Sequence, residues 1–296
     1  MATIGVLAAE HVAVGLIEDH KLTSALRVFP RQNDAWDYLG ELPPDEITRC
    51  LAEQIEVVAA GKEITAVGVG FPGIILDGVI TESPNLQQMK GQNLEEQLSS
   101  LLHQRGWTIP VHVLNDADAM AAGVAASRGL LDQQIRVWWL GSGVGFGVYP
   151  PVPGAGEGGH VVVTLDPKEE FCRCGGRGHL EGIVGNRSMR LRFFDLEPDE
   201  IFEQARTGDM RCADFVKLWH RAIAAATANT VHLSGPGKFY ISGPNARFVQ
   251  LGLLDLYVNE MVKMSPLLGS SFEIVATSDE IAVIGAAASA QQGVSS

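Results

Sequence analysis

Four side chains in one short stretch could bind a soft metal ion. Residues 154–185 read GAGEGGHVVVTLDPKEEFCRCGGRGHLEGIVG, and within them His160, Cys172, Cys174 and His179 supply two imidazoles and two thiols. Two nitrogens and two thiolates suit a closed tetrahedral Zn²⁺ site. The cysteines stand in the turn C-R-C-G-G-R-G-H, where Gly175, Gly176 and Gly178 allow the backbone to fold tightly around an ion. The C-x-C spacing is tighter than the commoner C-x₂-C knuckle, and two reduced cysteines with two unrelated loop histidines are the bland alternative. Metal binding is the stronger reading, because two of the chain's 4 cysteines fall in this single turn. A disulfide between Cys172 and Cys174 would close a strained ring, and Cys50 and Cys212 read as ordinary buried thiols. Glu157 precedes the first ligand and Glu181 follows the last. A metal knot flanked by two carboxylates is a frame for holding polar groups against a hydroxyl-rich ligand.

The elements that must carry such a knot are those of a soluble α/β protein. The chain has 296 residues, 46% of them hydrophobic and 19% charged, which suits one large or two ordinary domains. No apolar run is long enough for a membrane span. The start, MATIGVLAAEHVAVGLIED, lacks the basic region and cleavage site of a signal peptide, and free cysteines favour the cytoplasm. A formal net charge of −13 argues against a nucleic-acid surface.

Two apolar runs, 3–8 and 11–18, predict an opening β-hairpin, with a further strand at 24–29. Ile47, Leu51, Ile55 and Val58 predict a helix over 45–60, with Asp45 in its cap region. A strand over 64–73, a helix over 93–105 starting at Asn93, a strand over 110–114 and an Ala-rich helix over 117–129 follow. Residues 136–150 predict a second hairpin around a glycine turn. Beyond the metal loop come a helix over 212–233, a strand over 238–243, a helix over 245–261, a strand over 272–277 and a helix over 279–291. Alternating strands and helices indicate parallel sheets. Two halves that each open with a hairpin suggest a duplicated two-domain fold with a cleft. Trp138 and Trp139 read as core residues, and His103, His112, His220 and His232 as structural or exposed.

Across nearly its whole length the chain resembles the ROK family of sugar kinases and sugar-responsive repressors. The resemblance rests on GVGFPG (68–73), SPNL (83–86), LNDADAMAAG (114–123), LGSGVGFGV (140–148), GEGGH (156–160), CRCGGRGHLE (172–181), ISGPN (241–245) and SDEIAVIGAAASA (278–290). His179 stands where the family usually has a third cysteine, which keeps four ligands. The resemblance implies the two-domain actin-like ATPase (ribonuclease H-like) fold with an interdomain cleft. The N-terminal domain would cover 1–116 and the C-terminal domain 117–279, with the zinc loop at 157–181 and the final helix, about 280–296, returning to the first domain. It also implies that Asp116 is the general base and that Asn85, Asn115, Asp116, Glu157, His160 and Glu181 contact the sugar. Gly141, Ser142, Gly143, Gly145 and Gly243 would hold the nucleotide, structural zinc would be bound by His160, Cys172, Cys174 and His179, and the protein would be a homodimer. A helix N-cap is the bland reading of Asp116, a role that Asn115 or Asp118 could take instead.

The chain departs from the family at the first hairpin. The family's Asp-x-Gly-Gly-Thr, which places phosphates and Mg²⁺, is here Leu7-Ala8-Ala9-Glu10-His11, in a hairpin one residue shorter and without glycine in its turn. Alanine restricts φ and blocks close approach of a phosphate. The adenosine-side turn, usually a run of glycines, reads Ser242-Gly243-Pro244-Asn245. Two functions stay open at this level. One is an ATP- and Mg²⁺-dependent kinase of a hexose or N-acetylhexosamine. The other is a sugar-binding pseudokinase or sensor that has lost ATP use. A DNA-binding repressor is the poorer third reading, because the first strand starts by Thr3 and leaves no room for a helix-turn-helix.

Overall fold

The computed structural model describes residues 2–30, 38–152 and 156–295. Gly154 and Ala155 at the head of the metal loop, and Ser296, the last position of the helix expected over about 280–296, lie outside the described residues. The chain divides into two compact units, Met1–Ile135 with Gly147–Gly156 and Ser278–Ser296, and Arg136–Phe146 with Glu157–Thr277.

In the first unit β1 (Ala2–Ala8) and β2 (Val12–Glu18) form the expected antiparallel hairpin. β3 (Lys21–Leu22) and β4 (Arg27–Phe29) both pair with β2, so the strand expected over 24–29 is confined to its last three residues. α1 (Pro44–Ala59) follows, and its N-cap is Pro43, with Asp45 inside the first turn. β5 (Ile64–Phe71) lies parallel to β1 and stops before Pro72. The Pro72–Gly73 turn leads into a small hairpin that the periodicity does not reveal, β6 (Ile74–Leu76) and β7 (Val79–Glu82). α2 (Leu94–Gln104) starts where expected, its N-cap Asn93 accepting from the Glu96 N–H. β8 (Val111–Asn115) adds parallel to β5, and α3 (Asp116–Ser127) follows it without a loop. The sheet order is β3-β2-β1-β5-β8, with β4 also on β2.

Apolar side chains of β1, β2, β5 and β8 pack against α1 and α2 in one core. The last helix, α9 (Asp279–Ser295), packs on this sheet and along α3. The contact is close because small residues face it: a Cβ on Gly68 would stand 1.8 Å from the Ala286 carbonyl oxygen. The packing of α3 on α9 also explains why the first unit runs on to Ile135, past the boundary expected after 116.

In the second unit β9 (Ile135–Leu140) and β10 (Val144–Tyr149) flank a glycine turn. They join β11 (Lys238–Ser242) and β12 (Ser271–Ile274) in the order β10-β9-β11-β12. Four helices intervene, α4 (Glu181–Val184), α5 (Asn186–Arg192), α6 (Pro198–Thr207) and the long α7 (Met210–Ser234). The helix expected over 245–261 is split. A 3₁₀ segment, Pro244–Phe248, ends at Val249, whose extended backbone (ψ 127°) separates it from α8 (Leu251–Met261). Trp138 and Trp219 are fully buried in the core of this unit, and Trp138 Nε1 donates to Thr227 Oγ1 at 3.1 Å. His220 is equally structural: the Gln250 N–H donates to its Nε2 at 3.0 Å, leaving Nδ1 to donate to the Val216 carbonyl at 2.8 Å. Cys50 and Cys212 are buried and free. No helix among the described residues is long and apolar enough to cross a membrane.

Candidate functional site

The four sequence-predicted ligands come together. Residues 161–163 run antiparallel to 178–180 through Val163 N–H to Gly178 O (2.8 Å) and Leu180 N–H to Val161 O (3.0 Å). That pairing brings His160 and His179 to the same end of the loop. A turn closed by Gly175 N–H to Cys172 O (3.1 Å) brings both cysteines beneath them. The donor atoms of His160, Cys172, Cys174 and His179 all lie within 4.8 Å of one another. Cys172 Sγ is 3.4 Å from Cys174 Sγ and 3.5 Å from His160 Nδ1, and Cys174 Sγ is 3.2 Å from His179 Nδ1. A tetrahedral ion with bonds of about 2.3 Å to sulfur and about 2.0 Å to nitrogen has S···S edges of about 3.8 Å and S···N edges of about 3.5 Å. The donor set fits a metal ion. His179 sits close only because position 176 lacks a side chain, since a Cβ there would lie 2.0 Å from the imidazole Cε1.

Burial opposes the ion at one donor and suits it at another. Burial pushes the Cys172 thiol up to about 12, so only a bound cation would hold it as thiolate near neutrality. Desolvation, then the charge of His160, lowers the His179 pKa and keeps its imidazole in the neutral form a metal requires. The loop is anchored from below by Arg192, paired with Glu169, stacked 4.3 Å over the Phe171 ring and donating to the Gly182 carbonyl at 3.0 Å. Ser188 Oγ donates to the carbonyls of Phe171 (3.3 Å) and Glu181 (2.9 Å), tying the cysteine turn to α4.

The polar groups expected to meet a ligand divide into those turned outward and those used inside. His160 offers Nδ1 to the cluster, and its Nε2 lies 3.6 Å from Glu157 Oε2. Desolvation, reinforced by the charge of Glu181 and opposed by His160, raises the Glu157 pKa. The two glutamates therefore act on one locality. Glu181, at the start of α4, accepts from the Val144 N–H at 3.1 Å.

In the first unit Asn115 is the N-cap of α3, its Oδ1 accepting from Ala117 N–H (2.8 Å) and Asp118 N–H (3.2 Å). Its Nδ2 donates to the Gly73 carbonyl at 2.9 Å. Both ends of this amide thus serve the backbone, and capping does not depend on Asp116. Asp116 stands half-buried in the first turn of α3, at the carboxyl end of β8, with Oδ1 accepting from the Ala117 N–H at 2.8 Å. Asp118 is buried and accepts from the Val148 N–H at 2.8 Å. Asn85 is exposed, on a loop fixed by a residue that sequence reasoning did not single out. Ser83 is fully buried, donates to the Pro72 carbonyl at 2.8 Å and accepts from the Leu86 N–H at 3.3 Å. Its signal was the SPNL motif itself. Asn115 and Ser83 together grip the Pro72–Gly73 turn, so Asn85 and Asn115 belong to one locality at the carboxyl ends of parallel strands, where open α/β sheets bind ligands.

The two glycine motifs predicted to hold a nucleotide also meet. A Cβ on Gly141 would touch the Pro244 ring at 3.3 Å, and Asn245 Nδ2 donates to the Gly141 carbonyl at 3.2 Å. Ser142 is exposed at the tip of the β9–β10 turn, with Gly143 and Gly145 partly exposed beside it. Gly243 supports the motif with φ 94°.

The β1–β2 turn, where the sequence departs from the family, is closed by Ala9 N–H to His11 O at 3.0 Å. His11 Nε2 lies 2.7 Å from Asp279 Oδ2 at the start of α9, a pairing 268 residues apart that no spacing in the sequence discloses. This hydrogen bond, aided by the charges of Asp279 and Glu10 and opposed by desolvation, raises the His11 pKa above 6.5. A raised folded-state value contributes stability that is complete below the unfolded pKa and disappears as pH climbs through the folded one. The Tm difference between the wild type and His11→Asn is expected to be largest near pH 6 and to shrink toward pH 8.5. A difference that stays constant across that range in calorimetry would show that the pair does not titrate.

Comparison with known proteins now assigns the chain. The profile of the ROK family matches residues 38–292. The chain belongs to the ROK family. A glucokinase of Pyrobaculum calidifontis is 31% identical over 259 residues, covering 80% of this chain and 82% of that protein. Among solved structures, the ROK hexokinase of Thermus thermophilus superposes with a TM-score of 0.78 at 24% identity, covering 100% of this chain and 99% of that one. A ROK family glucokinase from Streptomyces griseus, in complex with glucose and AMPPNP, superposes with a TM-score of 0.71 at 21% identity, covering 99% and 100%. The fold is that of these ROK sugar kinases, the actin-like ATPase fold.

Proposed function

We propose that this ROK protein is a sugar kinase that transfers the terminal phosphoryl group of ATP to a hydroxyl of a hexose or N-acetylhexosamine. The observation that carries the reading is the His160 arrangement, one ring nitrogen facing the metal-ligand cluster and the other facing Glu157 at 3.6 Å. A histidine held at one nitrogen presents the other in a fixed direction, as recognition of a hydroxyl requires.

Asp116 is the general base in this reading, accepting the proton of the attacking hydroxyl. Phosphoryl transfer asks little covalent chemistry of a protein and depends mainly on positioning and on a carboxylate aimed at the nucleophile. Glu157, His160 and Glu181 contact further hydroxyls, assisted by Asn85 and by the second Nδ2 hydrogen of Asn115. Carboxylates form strong, charge-assisted hydrogen bonds with such groups. The turn Gly141–Gly145, with Ser142 at its tip, cradles phosphate through backbone amides, beside Gly243. Mg²⁺, when bound with ATP, supplies charge neutralisation on the phosphates. Zn²⁺ is the metal that the two-thiolate, two-imidazole set suits, held by His160, Cys172, Cys174 and His179 as a structural cross-link. Reduced thiols fit a cytoplasmic setting.

The sensor reading rests on the altered turn at Leu7–His11, but membership in the family and a glucokinase relative aligned over 80% of the chain favour turnover. The test is ADP release with ATP·Mg²⁺ across a panel of hexoses and N-acetylhexosamines. Sugar-dependent ADP formation is expected with at least one of them. Measurable sugar binding without ADP from any member of the panel would overturn the kinase assignment.

A further inference from the structure

Glu181 touches two parts of the second unit at once. Its Oε1 lies 3.6 Å from Cys172 Sγ, inside the metal-ligand cluster. Its Oε2 accepts from the Val144 N–H at 3.1 Å, at the exit of the glycine turn. The carboxylate lies directly against the turn, since a Cβ on Gly143 would come within 2.6 Å of Glu181 Oε2.

The other end of that turn is also held. The Gly141 carbonyl accepts from the Asn186 N–H at 3.1 Å and from Asn245 Nδ2 at 3.2 Å, and Asn245 Nδ2 also donates to Asn186 Oδ1 at 2.6 Å. Asn245 is almost wholly buried, 1% exposed. Gly141 N–H closes the turn on Gly143 O at 3.0 Å. Ser142 is left exposed between two pinned ends. The Asn186–Asn245 end rests on packed helix and strand termini. The Glu181 end rests on a side chain whose other oxygen leans on a cysteine of the knot.

We infer that Glu181 is a positioning residue that carries the state of the metal knot to the glycine turn, so that metal occupancy sets how well the turn receives a phosphate-bearing nucleotide. A bound ion takes Cys172 as thiolate and holds it in one geometry, so that Glu181 Oε1, which accepts from the thiol when no ion is bound, packs instead against a fixed sulfur. Glu181 then has a firm backstop and keeps the Val144 amide paired. Without the ion the cysteine turn loses its common anchor, the backstop loosens, and one end of the turn is released. Coupling between two sites is reciprocal and amounts typically to about 5–150-fold in affinity, so nucleotide should in turn slow metal loss. The nucleotide side of the inference rests on the kinase reading above; the link between knot and turn does not.

The experiment is hydrogen–deuterium exchange on the full chain, zinc-loaded and after stripping with a chelator, with ATP affinity measured by calorimetry in both states. In the wild type, stripping should speed exchange at the Val144 amide by about tenfold and weaken ATP binding by about tenfold, while Tyr240 in β11 keeps its protection. In Glu181→Ala the Val144 amide should exchange fast with or without zinc, and stripping should have little further effect on ATP. Glu181→Gln, which keeps an acceptor oxygen, should retain zinc sensitivity at Val144; should Glu181→Ala fail to fold, this variant and the wild type carry the test. Exchange at Val144 that ignores zinc in the wild type overturns the inference, and so does a loss of protection at Tyr240 of the same size. Zinc-sensitive exchange with no ATP binding in either state leaves the coupling standing and removes the nucleotide assignment instead.

Discussion

Asp116→Asn is expected to lower kcat by about 10³-fold while leaving the protein folded. A positioned general base contributes typically about 10²–10⁴-fold, and asparagine cannot accept the hydroxyl proton. The helix should survive, because the cap of α3 is Asn115, whose Oδ1 takes both the Ala117 and Asp118 amides. The introduced carboxamide oxygen can still accept from the Ala117 N–H, as Asp116 Oδ1 does at 2.8 Å. Sugar binding should therefore persist where turnover is lost. Steady-state ADP release and calorimetric sugar titration on the same preparation separate the two quantities. A kcat within tenfold of the wild type would remove Asp116 from the role of base, and a collapse of the melting transition would mean that its role is structural.

The second large effect concerns the knot. Cys172→Ser should abolish stoichiometric zinc and lower the melting temperature of the second unit by roughly 10 °C. An ion present at a thousand times its dissociation constant stabilises the folded state by about 4.1 kcal/mol, and for a unit of this size each kcal/mol is worth about 2–4 °C. Cys172 is the ligand to test because it is buried and touches three of the groups at issue, His160, Cys174 and Glu181. Its thiol, pushed up to about 12 by burial, also predicts that zinc uptake releases protons and strengthens as pH rises. Metal analysis and a melting curve check the substitution; unchanged zinc content and unchanged melting would refute the metal centre.

Much of this architecture was legible along the chain. The β1–β2 hairpin follows from two apolar runs separated by a short polar turn, α2 begins at Asn93 because asparagine caps, and the break after Phe71 follows from Pro72-Gly73. The candidate metal-binding cluster was readable for the same reason: His160, Cys172, Cys174 and His179 lie within one glycine-dense loop, so short-range geometry alone gathers them. Elsewhere the structure adds elements for which the sequence raised no expectation, or divides one that it did raise. The helices over 181–207 are short or carry their apolar residues to a core built by α7. The helix over 245–261 is split at Val249, where a 3₁₀ segment locked by Asn245 onto Gly141 outweighs helical spacing.

Sequence alone determined the candidate ligand set, the family, most of the element order and the altered turn at Leu7–His11, since each is a matter of residue type and local spacing. Tertiary structure alone decided which partners those residues meet. His11 finds Asp279 across 268 positions, Glu181 finds Val144 across 37, and Asn245 finds Gly141 across 104. Such pairings depend on how strands and helices pack, and no local pattern encodes the distance between two side chains that only the fold brings within hydrogen-bonding reach.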